Sequence, residues 1–182
     1  RDHPVRVAGA LGGQFAGGNQ TPGLSGDGSR IAFQHFAISG NTANYQTQSY
    51  DLATNTLTTL TPLGFFESSA ISHDGKTIAV STGNLGLRLF DTTTQTFSGV
   101  LMPAPFDFAM SGDGKRIVYE GFSQSVRLYD VATGTTTVVS PPGSGFNQRP
   151  VLSADGKSLA FTSTFDPLGQ NADHNAEVFR YD

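Results

Sequence analysis

Oxygen-bearing side chains recur at alternate positions near the end of the chain, in the loop that spans residues 164–177. Carboxylate and amide oxygens at positions i, i+2 and i+4 allow a tight loop to wrap a hard cation such as calcium. The alternative is an Asx-rich turn, in which the same side chains satisfy the loop's own backbone groups. Calcium is therefore the one metal cofactor that the sequence suggests. The candidate ligands are Asn171, Asp173, Asn175 and Glu177.

A second group of residues combines aromatic rings with amide and charged groups at four separate points along the chain. Such a mixture suits a peptide, a protein surface or a glycan, because rings supply apolar contact while polar groups fix orientation. The alternative is that these phenylalanines pack in the interior of the protein. The candidate ligand-binding residues are Gln20, Phe66, Glu67, Phe106, Asp107, Gln148 and Arg149.

Serine is the one nucleophile type that recurs in a pattern, at Ser25, Ser72, Ser111 and Ser153. Each copy lies beside an Asp-Gly turn, which favours a structural role, and a nucleophile elbow of Gly-x-Ser-x-Gly form is absent. The chain has no cysteine. That absence excludes disulfides, thiolate catalysis and cysteine-ligated zinc. The sequence therefore predicts no catalytic residue.

A sequence motif that occurs four times determines where these candidate residues lie in the fold. Each copy opens with Ser-x-Asp-Gly, continues into an apolar run and later reaches an aromatic-Asp pair. Aspartate caps such a turn and glycine tolerates positive φ, so the phrase predicts a hairpin between two strands. A period of roughly 40 residues built from strand-like pieces is typical of a β-propeller. The aromatic-Asp pairs end at Asp51, Asp91, Asp130 and Asp182.

Each repeat divides into four predicted strands, a to d in chain order. Strand b is apolar at successive positions instead of alternating, which predicts a sheet that is buried on both faces. The d–a and b–c loops of a propeller meet at one end of its central channel, so the candidate binding residues should rim that channel. Predicted b strands cover 30–34, 77–81, 116–120 and 158–162, and predicted c strands cover 48–50, 87–90, 126–129 and 177–181.

The ends of the chain complete the expected architecture. The fourth repeat stops before its strand d, whereas residues 4–8 form an orphan strand that is predicted to close the last blade. The fold prediction is all-β: one propeller domain over residues 1–182, with four blades of four antiparallel strands each. Alternatives are a segment of a six- to eight-bladed ring, or two chains that combine into one ring. The predicted blades are about 19–61, 66–102, 106–140, and 147–182 with the strand 4–8.

The repeat Ser-x-Asp-Gly-Lys-x-Ile-Ala-Phe with a later Tyr-Asp-x-x-Thr-Gly resembles the TolB-type, WD-like β-propeller repeats. Segments 111–119 and 153–161 carry the resemblance best. It implies a propeller in a family that includes periplasmic binding scaffolds, propeller domains that gate prolyl-type peptidases and a few sugar-acid lyases. The chain contains no hydrolase domain, so the peptidase interpretation would require a further segment.

Composition narrows the classes of partner. Charged residues make up 14% of the chain, the net charge is −4, and lysine and arginine form no cluster. Nucleic acid is therefore not an expected partner. No apolar stretch approaches the roughly 18 residues that a membrane span needs, so membrane insertion is not expected. The start at Arg1, without a signal-peptide pattern, indicates a processed product or an excised segment.

The function expected from these observations is a non-catalytic binding or assembly module, placed outside the cytoplasm, that binds a protein, peptide or glycan at the channel loops. One alternative is the propeller domain of an enzyme, either of the peptidase-gating or the sugar-acid lyase type. The other is a structural subunit that self-associates when its N-terminal strand completes the fourth blade of another chain.

Overall fold

A computed structural model describes residues 17–39, 42–62, 64, 67–83, 85–105, 107–121, 124–140, 146–165 and 172–182. These residues form fifteen strands in four antiparallel sheets. The sheets are the four blades of a β-propeller, which confirms the predicted fold class. Three blades have four strands each, and the fourth has three among the described residues. The strand predicted at residues 4–8 lies outside the described residues.

The strands follow one another in chain order within each blade. Blade one contains β1 (Gly17–Leu24), β2 (Arg30–Ser39), β3 (Thr42–Asp51) and β4 (Thr56–Thr59). Blade two contains β5 (Glu67–Ile71), β6 (Thr77–Thr82), β7 (Gly86–Asp91) and β8 (Thr96–Phe97). Blade three contains β9 (Phe108–Met110), β10 (Arg116–Glu120), β11 (Val126–Asp130) and β12 (Thr135–Val138). Blade four contains β13 (Asn147–Leu152), β14 (Leu159–Ser163) and β15 (Glu177–Tyr181).

The central hairpin of blade one is longer than the sequence predicted. Strands β2 and β3 each have ten residues, and their pairing continues to Ser39 opposite Thr42. The extension is partly buried, with His35 and Thr47 both almost inaccessible to solvent. Polar residues here take strand positions because the paired backbones satisfy one another along the whole hairpin.

Each of the first three blades packs one face against the next blade. Strand b of blade two is buried on both faces, as predicted, because Ile78, Ala79 and Val80 are all inaccessible. Ile78 and Val80 pack against Ala32 of blade one, whereas Ala79 packs with Ile117 of blade three. We call the side that carries Ile78 the leading face of a blade and the side that carries Ala79 its trailing face. The trailing face of each of the first three blades thus meets the leading face of the next.

The Ser-x-Asp-Gly turns share one hydrogen-bond pattern, seen clearly in blade three. The Ser111 hydroxyl donates to Oδ1 of Asp113 at 2.7 Å and accepts from the Arg116 backbone N–H at 3.0 Å. In blade one, the hydrogen bond from the Ser25 side chain is the main reason that the pKa of Asp27 falls to about 2. The repeated serines are therefore parts of the turns.

A ladder of backbone hydrogen bonds, the turn ladder, connects these turns from blade to blade. The Asp27 N–H donates to the His73 carbonyl at 2.9 Å, and the His73 N–H donates to the Gly112 carbonyl at 2.7 Å. The Gly112 N–H then donates to the Ala154 carbonyl at 2.8 Å. The four turns are thereby held side by side, although they are far apart in sequence.

Candidate binding site at the rim of blades three and four

Blades three and four are joined by a contact between two predicted binding residues, Asp107 and Arg149. We call the end of these blades that carries this contact the rim. Asp107 lies just before β9, and Arg149 lies within β13 of the next blade. Oδ2 of Asp107 accepts a hydrogen bond from the Arg149 backbone N–H at 3.0 Å. The bond uses the backbone of Arg149, so its exposed guanidinium has no part in it. Asp107 therefore holds the strand that presents Arg149 to solvent.

Arg149 occupies a bulge in β13. Its φ is +53°, and the register between β13 and β14 shifts between Gln148 and Val151. Pro150, which has no N–H to give to the ladder of the sheet, follows directly, and prolines within sheets are confined to such positions. The adjoining Gln148 carbonyl accepts a hydrogen bond from the Thr162 hydroxyl at 3.1 Å. The sequence motif Asn-Gln-x-Pro, here residues 147–150, thus forms a bulge in which the third residue, Arg149, is exposed to solvent.

Blade one repeats this bulge. Thr21 has a φ of +45°, and the register between β1 and β2 shifts between Gln20 and Gly23. The phrase that precedes Pro22 is again Asn-Gln-x. The positive φ at x was not expected from the sequence, because threonine and arginine rarely adopt it. The repeated phrase was the available signal.

Glu120 is a rim residue that the sequence analysis missed. It ends β10, and its backbone N–H donates to the Asp107 carbonyl at 3.1 Å. Burial raises the pKa of the Glu120 carboxyl, and the negative charge of Asp107 raises it further. Its position at the last residue of a b strand, on the same end of the blade as the d–a loop, could have identified it.

An exposed phenylalanine lies three positions before Arg149 in the chain. Phe146 is 56% exposed, although its backbone is held on both sides by Thr164. The Phe146 N–H donates to the Thr164 hydroxyl at 2.9 Å, and the Thr164 N–H donates to the Phe146 carbonyl at 3.0 Å. The next residue, Asn147, is fully buried and donates from its Nδ2 to the Gln124 carbonyl. The ring is therefore an apolar surface on a fixed backbone.

The remaining predicted binding residues are placed as follows. Gln20 lies in β1 opposite Gln34, and Glu67 begins β5 opposite Thr82. Phe66 and Phe106 lie outside the described residues. The structure thus joins Asp107 to Arg149, and Gln148 precedes Arg149 in β13. It adds Glu120, which bonds to Asp107, and the exposed Phe146 just before β13.

The predicted calcium ligands form a local turn in the part that is described. The Asp173 carboxylate accepts from the Asn175 backbone at 3.5 Å and from its Nδ2 at 2.8 Å. Glu177 begins β15 opposite Ser163, and Asn171 lies outside the described residues. Over the described ranges, no group of three or more histidine, cysteine, aspartate or glutamate side chains could hold a metal ion. Calcium binding here stays a prediction.

The described part of the chain also contains no helix with the length and hydropathy that a membrane crossing requires. No protein-family model matches the sequence. No curated protein matches it either.

Solved structures share the fold. TolB from Acinetobacter baumannii aligns with a TM-score of 0.64 and 25% identity, over 91% of this chain and 41% of that chain. The β-propeller domain of the Trilobed protease from Pyrococcus furiosus, which has an open velcro topology, aligns with a TM-score of 0.65 and 13% identity. The alignment covers 91% of this chain and 55% of that chain. The acylaminoacyl peptidase of Pyrococcus horikoshii aligns over 81% of this chain and 28% of that chain, with a TM-score of 0.59 and 13% identity.

These alignments confirm the resemblance stated from the sequence: the chain has a TolB-like β-propeller fold. That fold is common to TolB and to the propeller domains of peptidases. The chain spans less than two thirds of the length of each of these structures.

Proposed function

We propose that this chain is a non-catalytic β-propeller binding module that takes a peptide, protein or glycan at the rim of blades three and four. The observation that carries the proposal is the bond from Asp107 to the backbone of Arg149, which crosses between blades and fixes a bulged strand. That strand presents Arg149 and Gln148 to solvent, and the exposed Phe146 directly precedes it in the chain.

The chemistry of these groups suits a ligand with both polar and apolar parts. A phenyl ring supplies a flat apolar surface for a sugar face or an apolar side chain. A guanidinium binds carboxylates in a two-pronged geometry that a lysine cannot match. Fixed backbones reduce the entropy that binding would otherwise cost.

A location outside the cytoplasm belongs to the same proposal. Its support is the TolB-type character of the repeats, together with 25% identity to a TolB structure over 91% of the chain. A complete absence of cysteine is compatible with that location, because secreted proteins need not contain disulfides.

The test is a binding survey with matched variants. The purified chain is applied to a synthetic glycan array and to a random-peptide display library, and every ligand found is measured by calorimetry. Arg149→Ala and Phe146→Ala should each weaken a genuine ligand by about tenfold or more, the loss expected when one contact worth ~1.4 kcal/mol is removed. Lys157→Ala is the control, because it removes a positive charge from the exposed turn at the opposite end of the same blade.

Two results would overturn the proposal. One is that neither library yields a ligand with a Kd below ~1 mM, which corresponds to only about 4 kcal/mol of binding energy. The other is that ligands are found whose affinity responds equally to Arg149→Ala, Phe146→Ala and Lys157→Ala. Circular dichroism of each variant separates a lost contact from a lost fold.

A further inference from the structure

The trailing face of blade four is exposed, unlike the trailing faces of the other blades. Val178 of β15 lies opposite Thr162 and is 75% exposed. The equivalent residues of blades one, two and three are Thr47, Leu87 and Val126, and each is 0% exposed. Val151, on the same face of blade four, is 56% exposed. Blade four therefore has the apolar surface of an inter-blade contact, and in this structure solvent reaches it.

The leading face of blade one is exposed in the complementary way. Leu24 is 61% exposed, whereas its equivalents Ile71, Met110 and Leu152 are partly buried against the preceding blade. The turn glycine shows the same difference. A Cβ added to Gly156 would lie 3.0 Å from the Arg116 side chain of blade three, but one added to Gly28 meets no described atom within 4 Å.

The turn ladder ends at the same open side of blade four. The Gly112 N–H donates to Ala154, the equivalent residue of the next blade. Among the described residues, none accepts a hydrogen bond from the Ala154 N–H itself. The position that would accept it is the turn carbonyl of a following blade. Backbone and side chains thus both indicate that one more leading face fits here.

We propose that the trailing face of blade four binds the leading face of blade one in a second copy of this chain. The support is continuity with the contact already used three times within the chain. In each internal contact, a trailing face with a small or β-branched residue, such as Ala79, receives a leading face with an Ile or Leu at the start of strand b. Blade one offers that leading face, with Ile31 and Leu24.

The contact is heterologous, since it joins different faces of the two chains, and such contacts form rings when their rotation closes. The described blades of two copies number eight, which lies within the range that closed propellers use. The interface borders the rim, because Gln148 lies opposite Thr162 on the same face as Val178. It does not use the bond between Asp107 and Arg149, so this proposal does not depend on the proposed function.

The experiment measures the mass of the chain in solution. Sedimentation velocity and native mass spectrometry from roughly 1 to 100 µM should show a species of twice 19.2 kDa. Val178→Lys and Leu24→Lys should each weaken the dimer by about tenfold or more, because each places a charge in an apolar contact. Val138→Lys is the control, because this half-exposed valine lies in the last strand of blade three, away from both faces.

A mixture of the two variants tests the pairing of unlike faces. Val178→Lys keeps an intact leading face, and Leu24→Lys keeps an intact trailing face, so the mixture should form one heterodimer that neither variant forms alone. Formation of that heterodimer also shows that both variants are folded. A strict monomer up to ~100 µM, a dimer that both lysines leave unchanged, or variants that fail to complement each other would each overturn the proposal.

Discussion

The turn serines offer a comparison in which chemistry is constant and burial differs. Ser111 and Ser153 make the same two hydrogen bonds, one to an aspartate and one from a backbone N–H, with equal lengths within 0.1 Å. Ser111 is 0% exposed, whereas Ser153 is partly exposed at the open side of blade four. Replacement of each by alanine isolates the effect of burial.

The expected cost is larger at Ser111. Ser111→Ala removes a bond to the Asp113 carboxylate, worth ~1 kcal/mol because that carboxylate is well exposed. It also leaves the Arg116 N–H without its acceptor, at a cost of about 1–2 kcal/mol. The sum is roughly 2–3 kcal/mol, or ~4–12 °C in Tm for a chain of this size. Water can replace the hydroxyl at Ser153, so Ser153→Ala should cost less than ~1 kcal/mol.

Thermal and urea unfolding, followed by circular dichroism, measure both values under the same conditions. A difference of ~1 kcal/mol or more between the two variants supports the desolvation argument. Equal losses, or a loss at Ser111 below ~0.5 kcal/mol, would show that the Arg116 N–H finds another acceptor and that burial of the Ser111 hydroxyl does not set the cost. A change in the slope m would identify a loss of two-state behaviour instead.

Three further predictions concern the turns and the rim. Gly156→Ala should destabilise the chain by at least ~1 kcal/mol more than Gly28→Ala. Both variants carry the cost of positive φ, but only Gly156 faces a preceding blade. Equal losses in urea unfolding would contradict this prediction. The pKa values of the turn aspartates Asp27, Asp74, Asp113 and Asp155 are lowered, so their carboxylates stabilise the folded chain. This stabilisation is fully present above the ordinary aspartate pKa of 3.8 and is lost as the pH falls toward about 2, the pKa of Asp27. Thermal unfolding between those pH values should show the decline, and a flat Tm there would refute it. Glu120→Gln should raise the free energy of unfolding slightly at pH 7, by less than ~1 kcal/mol, because it removes a partly buried charge beside Asp107. Below the ordinary glutamate pKa of 4.5 the gain should vanish, because Glu120 is then protonated. A gain that is the same at both pH values would exclude the charge as its cause.

The blades could be predicted from sequence because each has its own local code. The strand predicted over 116–120 agrees with β10 at both ends, since a Ser-x-Asp-Gly turn and an apolar run define it. The long hairpin of blade one could not be predicted in full, because its extension contains polar residues such as His35 that only paired backbones place in a strand. Local patterns thus determine strands, whereas pairing partners determine how far the strands run.

The rim was predicted only in part. Asp107, Gln148 and Arg149 were identified from residue type, but their contact uses a backbone N–H and a bulge that residue type does not reveal. Glu120 was missed because its residue type alone does not mark it, and its position at the end of a predicted b strand was the one available signal. Its raised pKa arises from burial and from Asp107, which are both products of the three-dimensional arrangement.

The second position of the Ser-x-Asp-Gly turn limits how the repeats could have been duplicated or rearranged. It is Gly26, His73, Gly112 and Ala154 in successive blades. A Cβ on Gly26 would lie 1.8 Å from Nδ1 of His73, so the position that this ring takes requires glycine at the same point of the preceding blade. Ala154 of blade four carries a Cβ there, so a histidine blade placed after blade four would have to turn its ring away. The imidazole ring therefore favours the existing order of blades one and two over other orders of these similar modules.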